Sequence, residues 1–358
     1  MANCSDISET QLLLSYGEKV CANLLKDHTT QQNIYWATDS YVETLGKEYS
    51  FYAPITIEKI TGENEKLIRP RAVKSKEVQT QRAKDKAEVF TPSWICNAQN
   101  NLIEEAWFGR KDGLFNCPAP DNPYKWINNE EKIEFPQDKT WKDYVADIRL
   151  EITCGEAPYL ANRYDAVTGE YNANVKYRIG MLDRKLRIVS ENAKDTKEWI
   201  LWAKIALRAT YGFEWQGDNL LLAREALFFT FEEHYIDQFG KSDFNRKRMQ
   251  IMPGVAYIIS WNIWQMDGLT FGLPGYEPFI EGKKQGDPNQ TSLFDVENFL
   301  DKDDIREIKP YERLCLIKDF FEGVNLKKST LTAQDFHDLN APKIAFESLV
   351  NKTSNKVL

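Results

Sequence analysis

The chain is 358 residues long, 42% hydrophobic and 13% aromatic, which is enough apolar surface for a substantial core and excludes wholesale disorder. Such a length fits one large domain or two ordinary ones. A formal net charge of −8 excludes a protein that coats nucleic acid nonspecifically, while permitting a local basic groove of the kind phosphate contacts need.

The segment MANCSDISETQLLL has neither a basic stretch nor a small-residue cleavage site, so no signal peptide is predicted. No run of 18 apolar residues occurs, so no membrane association through a spanning helix is expected. Cys4, Cys21, Cys96, Cys117, Cys154 and Cys315 are scattered without a C-x-x-C pair. That spacing argues against a disulfide framework and a zinc site, and fits a reducing, cytoplasmic setting. The three histidines are far apart and suggest no metal cluster.

In chain order, SETQLLLSYGEKVCANLLK (8–26) predicts a helix behind a Ser/Glu start. IYWATDSYVETL and YSFYAPITIEKI lean towards strand and end in the turn TGEN. Segment 66–86, KLIRPRAVKSKEVQTQRAKDK, carries eight basic residues against two acids. It reads either as a solvated linker or helix face, or as a DNA-backbone contact through Arg69, Arg71, Lys74, Lys76 and Arg82. EVFTPSWICNAQNNLIEEAWF predicts a turn with Pro92 near a helix start, then an amphipathic helix. Residues 109–140 read as loop.

TWKDYVADIRLEITCGEAPYL reads as helix, strand and turn. RIGMLDRKLRIVSE and TKEWILWAKIALRA read as helices, the first with a basic stretch facing either DNA or solvent. Next come a short strand, a turn and a long helix in ATYGFEWQGDNLLLAREALFFTFEEHY, then helix and strand in VAYIISWNIWQMDGL. Residues 272–305 read as a polar loop, and YERLCLIKDFF as an apolar strand-like run. Strands alternating with helices predict an α/β fold with a mainly parallel sheet.

In such sheets ligands bind beyond the carboxyl ends of the strands, and a glycine there lets backbone approach a ligand closely. The first such turn, Glu151-Ile152-Thr153-Cys154-Gly155, is not G-x-G-x-x-G, so a ligand without phosphates fits better than a dinucleotide. The second strand ends in Glu214, whose carboxylate is able to accept from both hydroxyls of a ribose. Asn262-Ile263 and Asp267 are placed to close a pocket over an adenine. Together these stretches suggest S-adenosylmethionine.

Four blocks resemble the N6-adenine DNA methyltransferases of restriction–modification systems, in the subgroup known as restriction endonuclease subunit M. They are Glu88-Val89-Phe90-Thr91-Pro92, Leu150 to Leu160 (LEITCGEAPYL), Tyr211-Gly212-Phe213-Glu214 with Asp218-Asn219, and Asn262 to Leu269. The similarity spans roughly 85–270 and keeps the family's block order. It implies a Rossmann-like methyltransferase domain at 86–271, an N-terminal α/β extension at 1–85 that carries most of the basic segment, and a polar loop and tail at 272–358 packing on the core. It implies that Phe90, Thr91 and Pro92 line the methionine end of the cofactor. Glu151 and Gly155 would face its amine and sulfonium, with Thr153, Cys154 and Pro158 completing the turn. Glu214 would hold the ribose with Trp215 beside it, and Asp267 would take the adenine amine. Double-stranded DNA is the implied substrate.

The family's Asn-Pro-Pro-Tyr, which accepts the target amine's hydrogens and stacks on a flipped base, is missing after Asp267. The nearest echo, Asn122-Pro123-Tyr124, has one proline and precedes the cofactor turn. About 50 residues separate Leu160 from Tyr211, a longer spacing than the family commonly uses. Cytosine-C5 chemistry, which needs a reactive Cys following a Pro, is disfavoured: Cys117 precedes its proline and Cys154 lies in the cofactor turn. Three readings follow: a complete methyltransferase, a cofactor-binding subunit whose partner chain supplies the missing motif, or a non-catalytic relative that binds cofactor or DNA.

Overall fold

The computed structural model describes residues 8–86, 88–111, 114–268, 271–275, 315–322, 324–326 and 341–346. Cys4, Leu269 and the part of the expected polar loop from 276 onwards lie outside them.

The N-terminal periodicity gives two helices rather than one: α1 (Glu9–Tyr16) and α2 (Glu18–Leu25). Ser8 caps α1 by accepting the N–H of Gln11. Gly17 breaks the run at φ +80°, which a side chain would resist. The strand-leaning stretches that follow run antiparallel only through an isolated bridge between Tyr35 and Pro54. They then curl into the short helices α3 (Val42–Leu45) and α4 (Ile57–Ile60). Gly46 at φ +101° ends α3, and Asp39 accepts the N–H of Phe51 twelve residues on, closing the loop.

Helices α5 (Lys76–Lys86) and α6 (Ser93–Phe108) come next, with Pro92 at the start of α6 as its sequence predicts. The stretch 109–140, expected as loop, contains an antiparallel hairpin of β1 (Asn116–Ala119) and β2 (Asn122–Asn128). Residues 129–140, after the hairpin, carry no helix or strand, as expected.

Helix α7 (Trp141–Ala146) starts in a reciprocal Thr140–Asp143 capping box. It leads into β3 (Arg149–Glu151). Helices α8 (Met181–Asn192) and α9 (Thr196–Arg208) link β3 to β4 (Thr210–Glu214). Helices α10 (Gly217–Phe239) and α11 (Lys241–Asn262) link β4 to β5 (Ile263–Gln265). The three strands form a parallel sheet in the order β3-β4-β5, with Glu151 opposite Gly212 and Glu214 opposite Gln265. The chain is therefore a mixed α/β protein. Strand β4 is buried at every position, as the central strand of a parallel sheet must be.

Alternation along β4 divides the core. Tyr211 and Phe213 join Trp264, Met266, Leu273, Cys315, Ile317 and Phe346 in one cluster. This is where β6 (Leu316–Lys318) and β7 (Lys343–Ala345) lie against the sheet. Gly212, on the other face, meets Leu160, Cys154 and Ile263. No described helix is long and apolar enough to cross a membrane.

Helix α8 corrects the expectation of a basic face towards DNA or solvent. Arg184, Lys185 and Arg187 are all buried. Arg184 donates to the side chains of Asn97 and Asn101, and Arg187 pairs with Glu191 and donates to the carbonyls of Asn129 and Glu131. Lys185 donates to the carbonyls of Asp147 and Ala209, just before β3 and β4, and burial lowers its pKa to about 7. These cations find acceptors far off in sequence, which a helical wheel does not show.

Close packing also fixes the start of α10. A Cβ on Gly217 would lie 1.9 Å from the carbonyl oxygen of Tyr35, a backbone atom that cannot swing aside. Gly217→Ala should cost about 1–3 kcal/mol in urea unfolding. Alanine at Gly240, where no atom lies within 4 Å, pays only for its positive φ and serves as the comparison. A neutral Gly217→Ala would show that this contact is not tight.

Candidate functional site

The turn after β3 is built on left-handed backbone: Thr153, Gly155 and Ala157 have φ of +48°, +54° and +60°. A Cβ on Gly155 would lie 2.9 Å from the Phe90 ring, so glycine is required for space as well as for φ. The group that sits over this turn is thus Phe90, brought in by the chain just ahead of α6.

Two hydrogen bonds hold the turn against β4. The Cys154 N–H donates to the Phe213 carbonyl at 2.8 Å. The Gly155 N–H donates to Glu214 Oε2, also at 2.8 Å. Glu214 Oε1 accepts the N–H of Gln216 at 3.0 Å, so the same carboxylate reaches the start of α10. Burial raises the Glu214 pKa, and the backbone N–H groups pull against that rise. Glu151 is buried and accepts the Leu160 N–H at 3.2 Å, closing the far end of the turn. Burial holds its pKa well above the usual carboxylate value, and does the same to the Cys154 thiol.

The third strand end arrives alongside. A Cβ on Gly268 would lie 2.9 Å from the Phe213 ring and 4.0 Å from Cγ2 of Thr153. Asp267 is half-buried in a turn closed by its N–H to Gly272 and the Phe271 N–H to its carbonyl. Among the expected site residues, the structure therefore gathers Phe90, Thr153, Cys154, Gly155, Glu214 and Asp267 at the carboxyl ends of the sheet. Thr91 and Pro92 follow Phe90 into α6, half-buried, and Pro158 is buried in the turn. Trp215 is half-buried with its ring 6.1 Å from that of Phe51.

The five cations singled out in the basic segment differ in burial. Arg82 is buried and forms ion pairs with Glu88 at 2.5 Å and Asp218 at 2.9 Å, and it also donates to Gln216. Its guanidinium is committed inside the protein, which corrects the expectation that it meets phosphate. Arg71 lies 5.6 Å from the centre of the Phe90 ring, and its backbone N–H donates to Glu156. Lys74 has its ammonium buried. Arg69 and Lys76 alone of the five are exposed. Asp218 is held low, at about 2, because Arg82, Lys74 and the Tyr41 hydroxyl outweigh the effect of burial.

Asn122-Pro123-Tyr124 opens β2 instead of forming a catalytic loop. Asn122 Oδ1 accepts the N–H of Tyr124 at 2.9 Å, so the amide oxygen is used within its own turn. Tyr124 is exposed, its ring 4.9 Å from that of Trp94. Among the described residues no group of three or more His, Cys, Asp and Glu is arranged to hold a metal ion.

Glu156 was not distinguished by the sequence, since nothing marks one acid in CGEAPYL as buried. It accepts from the Tyr164 hydroxyl at 2.7 Å and from the Arg71 N–H at 2.6 Å. Burial pushes its pKa from 4.5 up to about 7, against the pull of Lys74 and these hydrogen bonds. A raised carboxyl stabilises the fold fully below its unfolded pKa, and that contribution is lost as pH climbs through about 7. Relative to Glu156→Gln, the parent should lose up to about 3 kcal/mol of unfolding free energy between pH 4.5 and 7. Urea titrations across that window test this, and a pH-independent difference would rule out the buried, raised carboxyl.

Comparison of the chain with protein-family models, with curated proteins and with solved structures returned no match.

Proposed function

We propose that the chain binds S-adenosylmethionine at the carboxyl ends of β3, β4 and β5, and is the cofactor-binding subunit of a DNA adenine-N6 methyltransferase. The sheet would then be the cofactor half of a Rossmann-like methyltransferase fold. What carries this reading is the convergence of Gly155, Glu214 and the Asp267–Gly268 turn, three strand ends that were singled out from the sequence separately.

The residues present suit that cofactor. Glu214 ends the central strand, where its carboxylate would accept from a ribose hydroxyl beside the backbone N–H groups it already holds. Asp267 offers a carboxylate to an exocyclic adenine amine. Glu151, Glu156 and Glu214, buried close to one turn, favour a cationic centre such as a sulfonium. When bound, S-adenosylmethionine supplies an electrophilic methyl group. The chain's part is to orient that group and to exclude water, which Phe90 assists by covering the turn.

A subunit role, with a partner chain presenting the base, is favoured by the sequence after Asp267, which has no Asn-Pro-Pro-Tyr, and by Asn122-Pro123-Tyr124 opening β2 of a hairpin. DNA and the partner chain that carries Asn-Pro-Pro-Tyr complete the proposal.

Calorimetry with S-adenosylmethionine tests the binding step. The parent should bind, and Glu214→Ala should weaken binding by about 1–3 kcal/mol, the value of a lost hydrogen-bond pair to a charged group. Transfer of a labelled methyl group to DNA should be absent with this chain alone and appear when a chain bearing Asn-Pro-Pro-Tyr is added. No heat of binding to the parent would end the reading. Transfer by the isolated chain would end the subunit assignment.

A further inference from the structure

Residues 66–92 cross the candidate site as a strap. The strap leaves the core at Ile68, which is buried, and rejoins it at Ser93, whose N–H donates to Asp165 at 2.7 Å. Between Pro70 and Ser93 the buried residues among those described are Arg82, Glu88 and Phe90. Helix α5 lies inside this span, and Arg82 is the one side chain it buries among those described; even Val78 is exposed. A helix of this length with no apolar face against a core depends on its remaining contacts.

Those contacts reach both walls of the site. On the side of the turn, the Arg71 N–H donates to Glu156, and the Phe90 ring sits over Gly155. On the side of α10, Arg82 pairs with Asp218 and donates to Gln216, and Asn219 Nδ2 donates to Glu88 at 3.3 Å. The strap thus bridges the two elements that Glu214 joins. In this position it closes the site. Beside Gly155 the Phe90 ring leaves no room for a methyl group, so the backbone there is not free to meet a ligand.

The forces that hold the strap are the kind that give way locally. A buried ion pair gains attraction and loses hydration, and the two largely offset. Swinging the strap away returns Arg82 and Glu88 to water and exposes one large apolar side chain, Phe90. Global unfolding exposes the whole core. An opening that uncovers so little apolar surface lies far below the free energy of unfolding.

We infer that residues 70–90 form a cover, latched by Arg82 on Asp218, that swings away as one piece and uncovers the turn after β3. The motion rests on no particular ligand; that it admits one to Glu214 rests on the proposed cofactor.

Hydrogen exchange with mass spectrometry on the full chain tests the motion without a ligand. In the parent, the amides of 70–74 and of 76–86 should exchange together, about a hundredfold or more faster than those of α9 and α11. Arg82→Gln should speed both strap segments roughly tenfold or more and leave α9 and α11 unchanged. The contrast within the parent holds even where the variant fails to fold. Equal protection of the strap and α11 overturns the cover, as does a fast α5 beside a protected 70–74, or an equal rise everywhere in the variant. In stopped-flow mixing, S-adenosylmethionine binding should reach a rate ceiling set by opening, and Arg82→Gln should raise that ceiling roughly tenfold. A rate that stays linear in cofactor and equal in both chains overturns the gate. No binding by the parent ends the cofactor reading, and the cover then stands or falls by exchange alone.

Discussion

The arrangement at the sheet's carboxyl end depends on one carboxylate. Glu214 ends the central strand and accepts the N–H groups of Gly155 and Gln216, so it joins the turn after β3 to the start of α10. A turn with three residues at positive φ within five positions does not hold itself. Its strain is met by this bond, by Cys154 N–H to Phe213, and by Glu151 at the far end. Burial opposes a charge on Glu214, and backbone dipoles favour it. The acid therefore works as a structural clamp whose charge is sensitive to whatever comes beside it.

A second constraint fixes what covers this end of the molecule. Arg82 pairs with both Glu88 and Asp218, and in doing so anchors the C-terminal part of α5 against the start of α10. Removing one partner of such a buried set leaves an uncompensated charge, so the network is specific as well as tight. It also takes Arg82 out of the segment's basic surface, while Lys66, Arg69, Lys76 and Lys84 stay exposed. The charge of Arg82 is balanced across the fold, in part by Asp218, more than a hundred residues away.

Much of the secondary structure was legible because its causes are local. Pro92 ahead of α6, the Ser8 cap and the capping box at Thr140 are all visible in the sequence. What was not legible has non-local causes. The cations of α8 are buried because carbonyls and amides from 97–101, 129–131, 147 and 209 come to meet them. Asn122-Pro123-Tyr124 looks like a turn, but the turn is one step earlier and β2 begins at Asn122. At the site, Gly155 and Glu214 could be chosen from their places at strand ends. Phe90 over Gly155, and Glu156 behind it, required the fold to bring 71, 90 and 156 together.

The electrostatics of this end bear on what it admits. Glu151, Glu156 and Glu214 are each buried, each raised by desolvation, and Glu151 is raised further by Glu214. A phosphate set among them would add like charge in a medium that screens poorly, and it would find a turn without the glycine-rich run of N–H groups that dinucleotide sites use. A cation has the opposite effect: it stabilises the ionised acids and recovers part of the cost of burying them. Positive charge returns at Arg71, Lys74 and the buried Arg82.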